Sequence, residues 1–124
     1  MIYGIGVDLI EIDRIKQAIE RNGQRFVDRV YTKAEQEYCA HRPSFACYAA
    51  RFTAKEAFLK ALGTGLRKGM RWQDIEVYTD ELGKPHVQLH GYLKERAKQE
   101  KFERVHLSLS HSSAYAIAQV VIEQ

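Results

Sequence analysis

Arg51-Phe52-Thr53-Ala54-Lys55-Glu56-Ala57-Phe58-Leu59-Lys60-Ala61-Leu62-Gly63-Thr64-Gly65 is an apolar run that carries one acid and three bases and breaks at glycine. Its spacing is helical. A helix this apolar belongs in a core, where ionic groups are tolerated only when they are paired or bind something. Glu56 and Lys60 fall one turn apart on the same face, and Arg51 and Lys55 fall a turn earlier. An acid suited to a divalent cation, beside cations suited to phosphate oxygens, is the donor set of a site for a magnesium-bound phosphate ester.

The rest of the chain is organised around this helix. Ser44 can cap it, Phe45, Tyr48, Ala49, Phe52, Ala57, Leu59 and Leu62 supply its apolar positions, and Gly63 ends it. Upstream, Ile2 to Asp8 reads as a buried first strand that ends at Asp8, with Gly4 and Gly6 marking close backbone approach to a neighbour. Ile12, Ile15, Ala18 and Ile19 give an amphipathic helix to about Arg21, closed by Asn22-Gly23. Phe26, Val27 and Val30 suggest a short second helix. Thr32-Lys33-Ala34-Glu35 is a capping-box pattern that starts a third, which ends before Pro43.

Downstream, Asp74 to Thr79 and Pro85 to Leu89 form a hairpin around Asp80-Glu81-Leu82-Gly83. Tyr92 to Lys101 is a charged, exposed helix. Val105 to Ser110 and Tyr115 to Ile122 form a second hairpin through His111-Ser112-Ser113. The chain shows no repeat, low-complexity segment or linker. The expected architecture is α+β, one domain over residues 1–124, with a small antiparallel sheet packed on one long helix.

At 124 residues, with 45% hydrophobic and 28% charged residues, the composition is that of an ordinary globular protein. No apolar run approaches the ~20 residues needed to span a bilayer. Met1-Ile2-Tyr3-Gly4 has neither the basic nor the apolar region of an export signal, so a cytoplasmic location is expected. Cys39 and Cys47 are then expected as reduced, structural thiols, and no Cys/His spacing suggests zinc. A net charge of +3 does not by itself imply nucleic acid. Its placement is more telling: Arg14, Lys16, Arg21, Arg25 and Arg29 stand against Glu11, Asp13, Glu20 and Asp28. Such a stretch either meets an acidic partner or is a solvated helix face with intrahelical pairs.

Each candidate residue has a bland reading beside the chemical one. Asp8 caps the next helix or holds a cation. Glu56 pairs with Lys60 or Lys55, or joins Asp8 in binding magnesium, an ion that keeps several waters and seldom sits in an all-protein cage. Lys60 and Lys55 suit non-bridging phosphate oxygens, and Arg51 can grip a phosphate with two hydrogen bonds. Gly63-Thr64-Gly65 is a helix cap, or a turn whose amides approach an anion. His111, at a strand end, is a turn residue, a general base, a phosphate contact or a stacking group. Ser108, Ser110 and His111 make a poor serine hydrolase, because no Asp is positioned for the histidine.

Taken together these motifs resemble a known family. Gly4-Ile5-Gly6-Val7-Asp8-Leu9 with Arg14 is similar to the first motif of the short bacterial 4'-phosphopantetheinyl transferases, the holo-acyl carrier protein synthases. The stretch from Arg51 to Ala57 with Lys60 to Gly65 resembles their second motif, and Leu109-Ser110-His111-Ser112-Ser113-Ala114-Tyr115-Ala116 their third. Asp74-Ile75-Glu76 with Gly83-Lys84-Pro85 resembles their hairpin. Thr53 is a mild departure, standing where many relatives have a small residue.

The resemblance implies transfer of the 4'-phosphopantetheine arm of coenzyme A to a serine of apo-acyl carrier protein, in fatty acid biosynthesis, with adenosine 3',5'-bisphosphate released. It implies that Asp8 and Glu56 hold Mg2+, with Mn2+ as a substitute, and that Lys60 with Gly63, Thr64 and Gly65 contacts the phosphates. Asp8, Glu56 and Lys60 would be the catalytic set. Arg51 and His111 would lie at the 3'-phosphoadenosine end, and Arg14, Arg21 and Arg25 would meet the acidic carrier. It also implies a homotrimer with coenzyme A between subunits, and neither nucleic acid nor membrane as partner. A water held near Asp8 or Glu56 is the expected proton acceptor, with His111 second. Two other readings stand beside it. A non-catalytic basic module for acidic carrier-like proteins leaves Asp8 and Glu56 without purpose. A small pyrophosphohydrolase needs more acids on one helix than Glu56 alone.

Overall fold

The computed structural model describes residues 1–124. The long helix, α4 (Ala46–Leu62), is the axis on which the other elements pack; the rest are β1 (Ile2–Glu11), α1 (Ile12–Asn22), α2 (Gln24–Val30), α3 (Lys33–Ala40), a 3-10 turn (Trp72–Asp74), β2 (Ile75–Thr79), β3 (Pro85–Leu89), α5 (Gly91–Gln99), β4 (Arg104–His111) and β5 (Tyr115–Glu123). The architecture is α+β. A three-stranded antiparallel sheet runs in the order β1-β5-β4, and β2 and β3 pair separately as a hairpin. The N-cap of α4 is Phe45, without a side-chain cap bond, and not the expected Ser44, which stands one residue earlier and whose hydroxyl accepts from the Ala46 amide at 3.2 Å. Gly63 closes the other end in the left-handed conformation, φ 89°. The capping box of α3 is complete: Thr32 Oγ1 accepts from the Glu35 amide, and Glu35 Oε1 from the Thr32 amide.

Alternation along β1 fixes how it meets α4. Gly4 and Gly6 face the helix so closely that a β-carbon on either would collide with the carbonyls of Ala61 and Ala57. This contact lets Ala54, Ala57, Phe58, Ala61 and Leu62 pack with Val120, Ile122, Ile75 and Val77 in one core. No helix is long and apolar enough to cross a membrane.

Three expectations need correction. β1 is covered on one face only: Ile5, Val7 and Leu9 are 58%, 54% and 59% exposed, because α4 takes the other face and nothing in the chain covers this one. β1 also runs on to Glu11, so Asp8 sits inside the strand, opposite Ala118, and α1 is entered from Glu11 instead. Cys39 and Cys47 are joined in a disulfide, not reduced. The loop from α3 to α4 folds back so that their Cα atoms stand 5.5 Å apart, within bonding reach.

Candidate functional site

Asp8 points from β1 onto α4. Its Oδ2 accepts from Thr53 Oγ1 at 2.6 Å and its Oδ1 from Lys60 Nζ at 2.9 Å. Glu56 lies on α4 between those two residues, half-buried, and its carboxylate accepts no hydrogen bond within the chain. Burial pushes the Glu56 carboxyl above the usual glutamate range, the Asp8 charge adds to this, and Lys60 opposes it. Lys60 moves the same way for the opposite reason: the bond to Asp8 and then its charge favour the ammonium. Two carboxylates and one half-exposed ammonium thus share one spot, with Glu56 electrostatically unsatisfied. No group of three or more His, Cys, Asp or Glu side chains gathers anywhere in the chain.

Neither expected partner of Glu56 takes that place. Lys60 turns to Asp8. Lys55 is fully buried on the other side of α4, where Nζ donates to Glu35 Oε1 at 2.8 Å, to the Ile75 carbonyl at 2.6 Å and to the Trp72 carbonyl at 3.2 Å. Lys55 is therefore not available to a phosphate. At the C-terminus of α4 the amides of Gly63 and Thr64 close back onto the carbonyls of Leu59 and Lys60, so the turn works as a helix cap. The Gly65 amide makes no such backbone bond.

Arg51 opens a second place. It is 4% exposed, yet it lines a cavity of about 400 Å3 together with Tyr38, Arg42, Thr79 and His111. Its Nη2 donates to Thr79 Oγ1 at 3.1 Å, its Cζ lies 4.3 Å from the centre of the Tyr38 ring, and its buried Nε has no partner. Burial pulls its pKa down, but a guanidinium keeps its charge. A buried cation that lines a cavity and keeps an unpartnered donor is suited to an anion. His111 reaches the same cavity from the end of β4 and is otherwise held only by a 3.4 Å approach to the Ser112 carbonyl. Arg42, stacked 3.8 Å over Tyr38, is a further cation here. Sequence reasoning missed it, since a lone Arg before a proline in a loop carries no signal of its own.

Arg14, Arg21 and Arg25 are all exposed on α1 and α2, and no ion pair forms within this stretch. Two of its acids are engaged by glutamines instead: Asp13 accepts from Gln17 and Asp28 from Gln24. The cations are left uncompensated at short range.

Comparison with known proteins matches residues 4–120 to the 4'-phosphopantetheinyl transferase superfamily. A holo-[acyl-carrier-protein] synthase of Geobacter sulfurreducens is 48% identical over 125 aligned positions, covering 100% of this chain and 99% of the relative. Among solved structures, the Neisseria meningitidis holo-[acyl-carrier-protein] synthase superposes with a TM-score of 0.93 at 37% identity, covering 100% of both chains. The Bacillus anthracis synthase in complex with CoA (3',5'-ADP) gives 0.84 at 38% identity, covering 100% of this chain and 98% of the other.

Proposed function

The chain belongs to the 4'-phosphopantetheinyl transferase superfamily, among the holo-acyl carrier protein synthases, and from this we infer that its two places, the Asp8–Glu56–Lys60 cluster and the Arg51 cavity, serve one reaction. The reaction is transfer of 4'-phosphopantetheine from coenzyme A to a serine hydroxyl of apo-acyl carrier protein. The serine oxygen forms a bond to the phosphorus that bears the pantetheine. The bond from that phosphorus to the bridging oxygen breaks, and adenosine 3',5'-bisphosphate leaves. Phosphoryl transfer of this kind calls for positioning and charge neutralisation more than for covalent chemistry by the protein.

The observation that carries this reading is the Glu56 carboxylate, half-buried beside Asp8 with no partner. Two adjacent carboxylates, one of them destabilised as an anion, fit a hard divalent cation that also takes substrate oxygens and water. Mg2+, or Mn2+ with its similar oxygen preference, would supply charge neutralisation at the pyrophosphate. Lys60, on its half-exposed side chain, turns from Asp8 to a phosphate oxygen, with the Gly65 amide beyond it. Arg51 and His111, with Arg42, bind the 3'-phosphoadenosine end in their cavity. The serine proton passes to a water held near Asp8 or Glu56, with His111 as the second acceptor.

Arg14, Arg21 and Arg25 steer the acidic carrier onto α1 and α2. The whole chain acts as one domain in the cytoplasm, within fatty acid biosynthesis. Its uncovered apolar face of Ile5, Val7, Leu9 and Ile117 supports assembly with further copies as a homotrimer, with coenzyme A between subunits.

The test is the intact mass of apo-acyl carrier protein after incubation with this protein, coenzyme A and Mg2+, with a chelator control. A metal-dependent gain of one phosphopantetheine (~340 Da, the adduct left on a serine nucleophile) is expected. No gain with a competent carrier would leave a basic binding module.

A further inference from the structure

Thr53 sits on α4 three residues before Glu56 and is fully buried, a place where a hydroxyl is costly unless it is bonded. In a helix a threonine hydroxyl ordinarily bonds a carbonyl one turn back. Here it makes one bond only, to Asp8 Oδ2 on β1, at the short distance of a charge-assisted contact. A β-branched side chain in a helix has few rotamers, so this donor is stiff as well as buried.

The bond makes the two oxygens of Asp8 unlike each other. Oδ2 is tied to the core by a rigid hydroxyl. Oδ1 is met only by Lys60, whose side chain is 55% exposed and free to exchange Asp8 for another anion. A carboxylate anchored at one oxygen cannot swing about its Cβ–Cγ bond, so the other oxygen keeps its direction, toward the side of α4 where Glu56 stands.

We propose that Thr53 is a positioning residue: its hydroxyl fixes Asp8 Oδ2 and so presents Oδ1 to the divalent cation shared with Glu56. This rests on the reading of Asp8 and Glu56 as the cation's ligands. Partners that orient a metal-binding carboxylate typically change metal affinity about 10–100-fold when removed. A bond that merely clips β1 to α4 would change stability and leave the cation alone.

Thr53→Val keeps the shape and loses the hydroxyl, Thr53→Ser keeps the hydroxyl, and Thr53→Ala loses both bulk and hydroxyl without risk of a clash. Mn2+ is titrated into the protein loaded with coenzyme A and followed by electron paramagnetic resonance, which needs no turnover. The Val and Ala proteins bind Mn2+ about tenfold or more weakly, require correspondingly more Mg2+ for half-maximal transfer, and keep the wild-type KM for the carrier. The Ser protein recovers most of the affinity. Wild-type Mn2+ affinity in the Val or Ala protein overturns the proposal, as does a loss that Ser fails to restore. A wild-type protein that binds no Mn2+ overturns the cation reading of Asp8 and Glu56, and this proposal with it.

Discussion

Lys55 and Glu56 are neighbours in sequence and opposites in structure. Lys55 is buried with three acceptors around its ammonium, one of them Glu35. Glu35 in turn accepts from the amides of Thr32 and Val77, so this ion pair ties α3, α4 and β2 together with its hydrogen-bonding capacity filled. Glu56, on the other side of the same helix, is half-buried with no partner and with a like charge beside it. A satisfied polar cluster is a structural joint. An unsatisfied one is a place where something else binds. Composition cannot tell the two apart, because both are an acid and a lysine on one helix.

The largest effect expected on stability breaks the joint. Lys55→Met leaves Glu35 buried without its counter-charge and costs about 3–5 kcal/mol, read by urea unfolding. Loss of transfer at full stability would instead return Lys55 to the phosphate site. Opening the disulfide comes next. Cys39 and Cys47 are separated by 8 positions, and closing so short a loop contributes about 2–3 kcal/mol, so dithiothreitol or Cys39→Ser lowers the urea midpoint. Thiol counting on protein purified without reductant checks that the bond forms.

On the binding side, Arg51→Met removes the buried guanidinium that faces the cavity and raises KM for coenzyme A roughly tenfold or more, as expected for a charge-assisted bond. Wild-type KM would detach that cavity from the nucleotide. Glu56 gives a pH signature in metal-free protein. A carboxyl whose folded pKa is raised binds its proton more tightly folded than unfolded, so stability falls as pH rises through the carboxylate range. Glu56→Gln removes that penalty. It melts at or above wild type at neutral pH, and the gap closes on acidification. The smallest effect per residue is at the surface: Arg14→Glu or Arg21→Glu raises KM for the carrier severalfold at low salt, and less as salt screens the field.

Much of this was legible in the sequence, and the illegible parts share a cause. Local signals held: the capping box at Thr32, the Gly63 stop and the glycines of β1 all act within a few residues or against one neighbour. What failed was pairing across long separations. Glu35 meets Lys55 across 20 positions and Thr53 meets Asp8 across 45, and nothing in helical or strand periodicity encodes either. The outer face of β1 misled for a related reason. A β-branched strand with glycines looks buried, and only the packed chain shows that one face has no cover. Thr53, a mild departure in sequence, turns out to hold Asp8.

The most direct measurement of the division between the two faces of α4 is the transfer rate of the Glu56→Gln protein, read from the carrier's mass, beside its melting temperature. The account predicts a loss of about a hundredfold or more, with a melting temperature at or above wild type at neutral pH. Turnover near the wild-type rate, or a melting temperature that falls along with the activity, would contradict it.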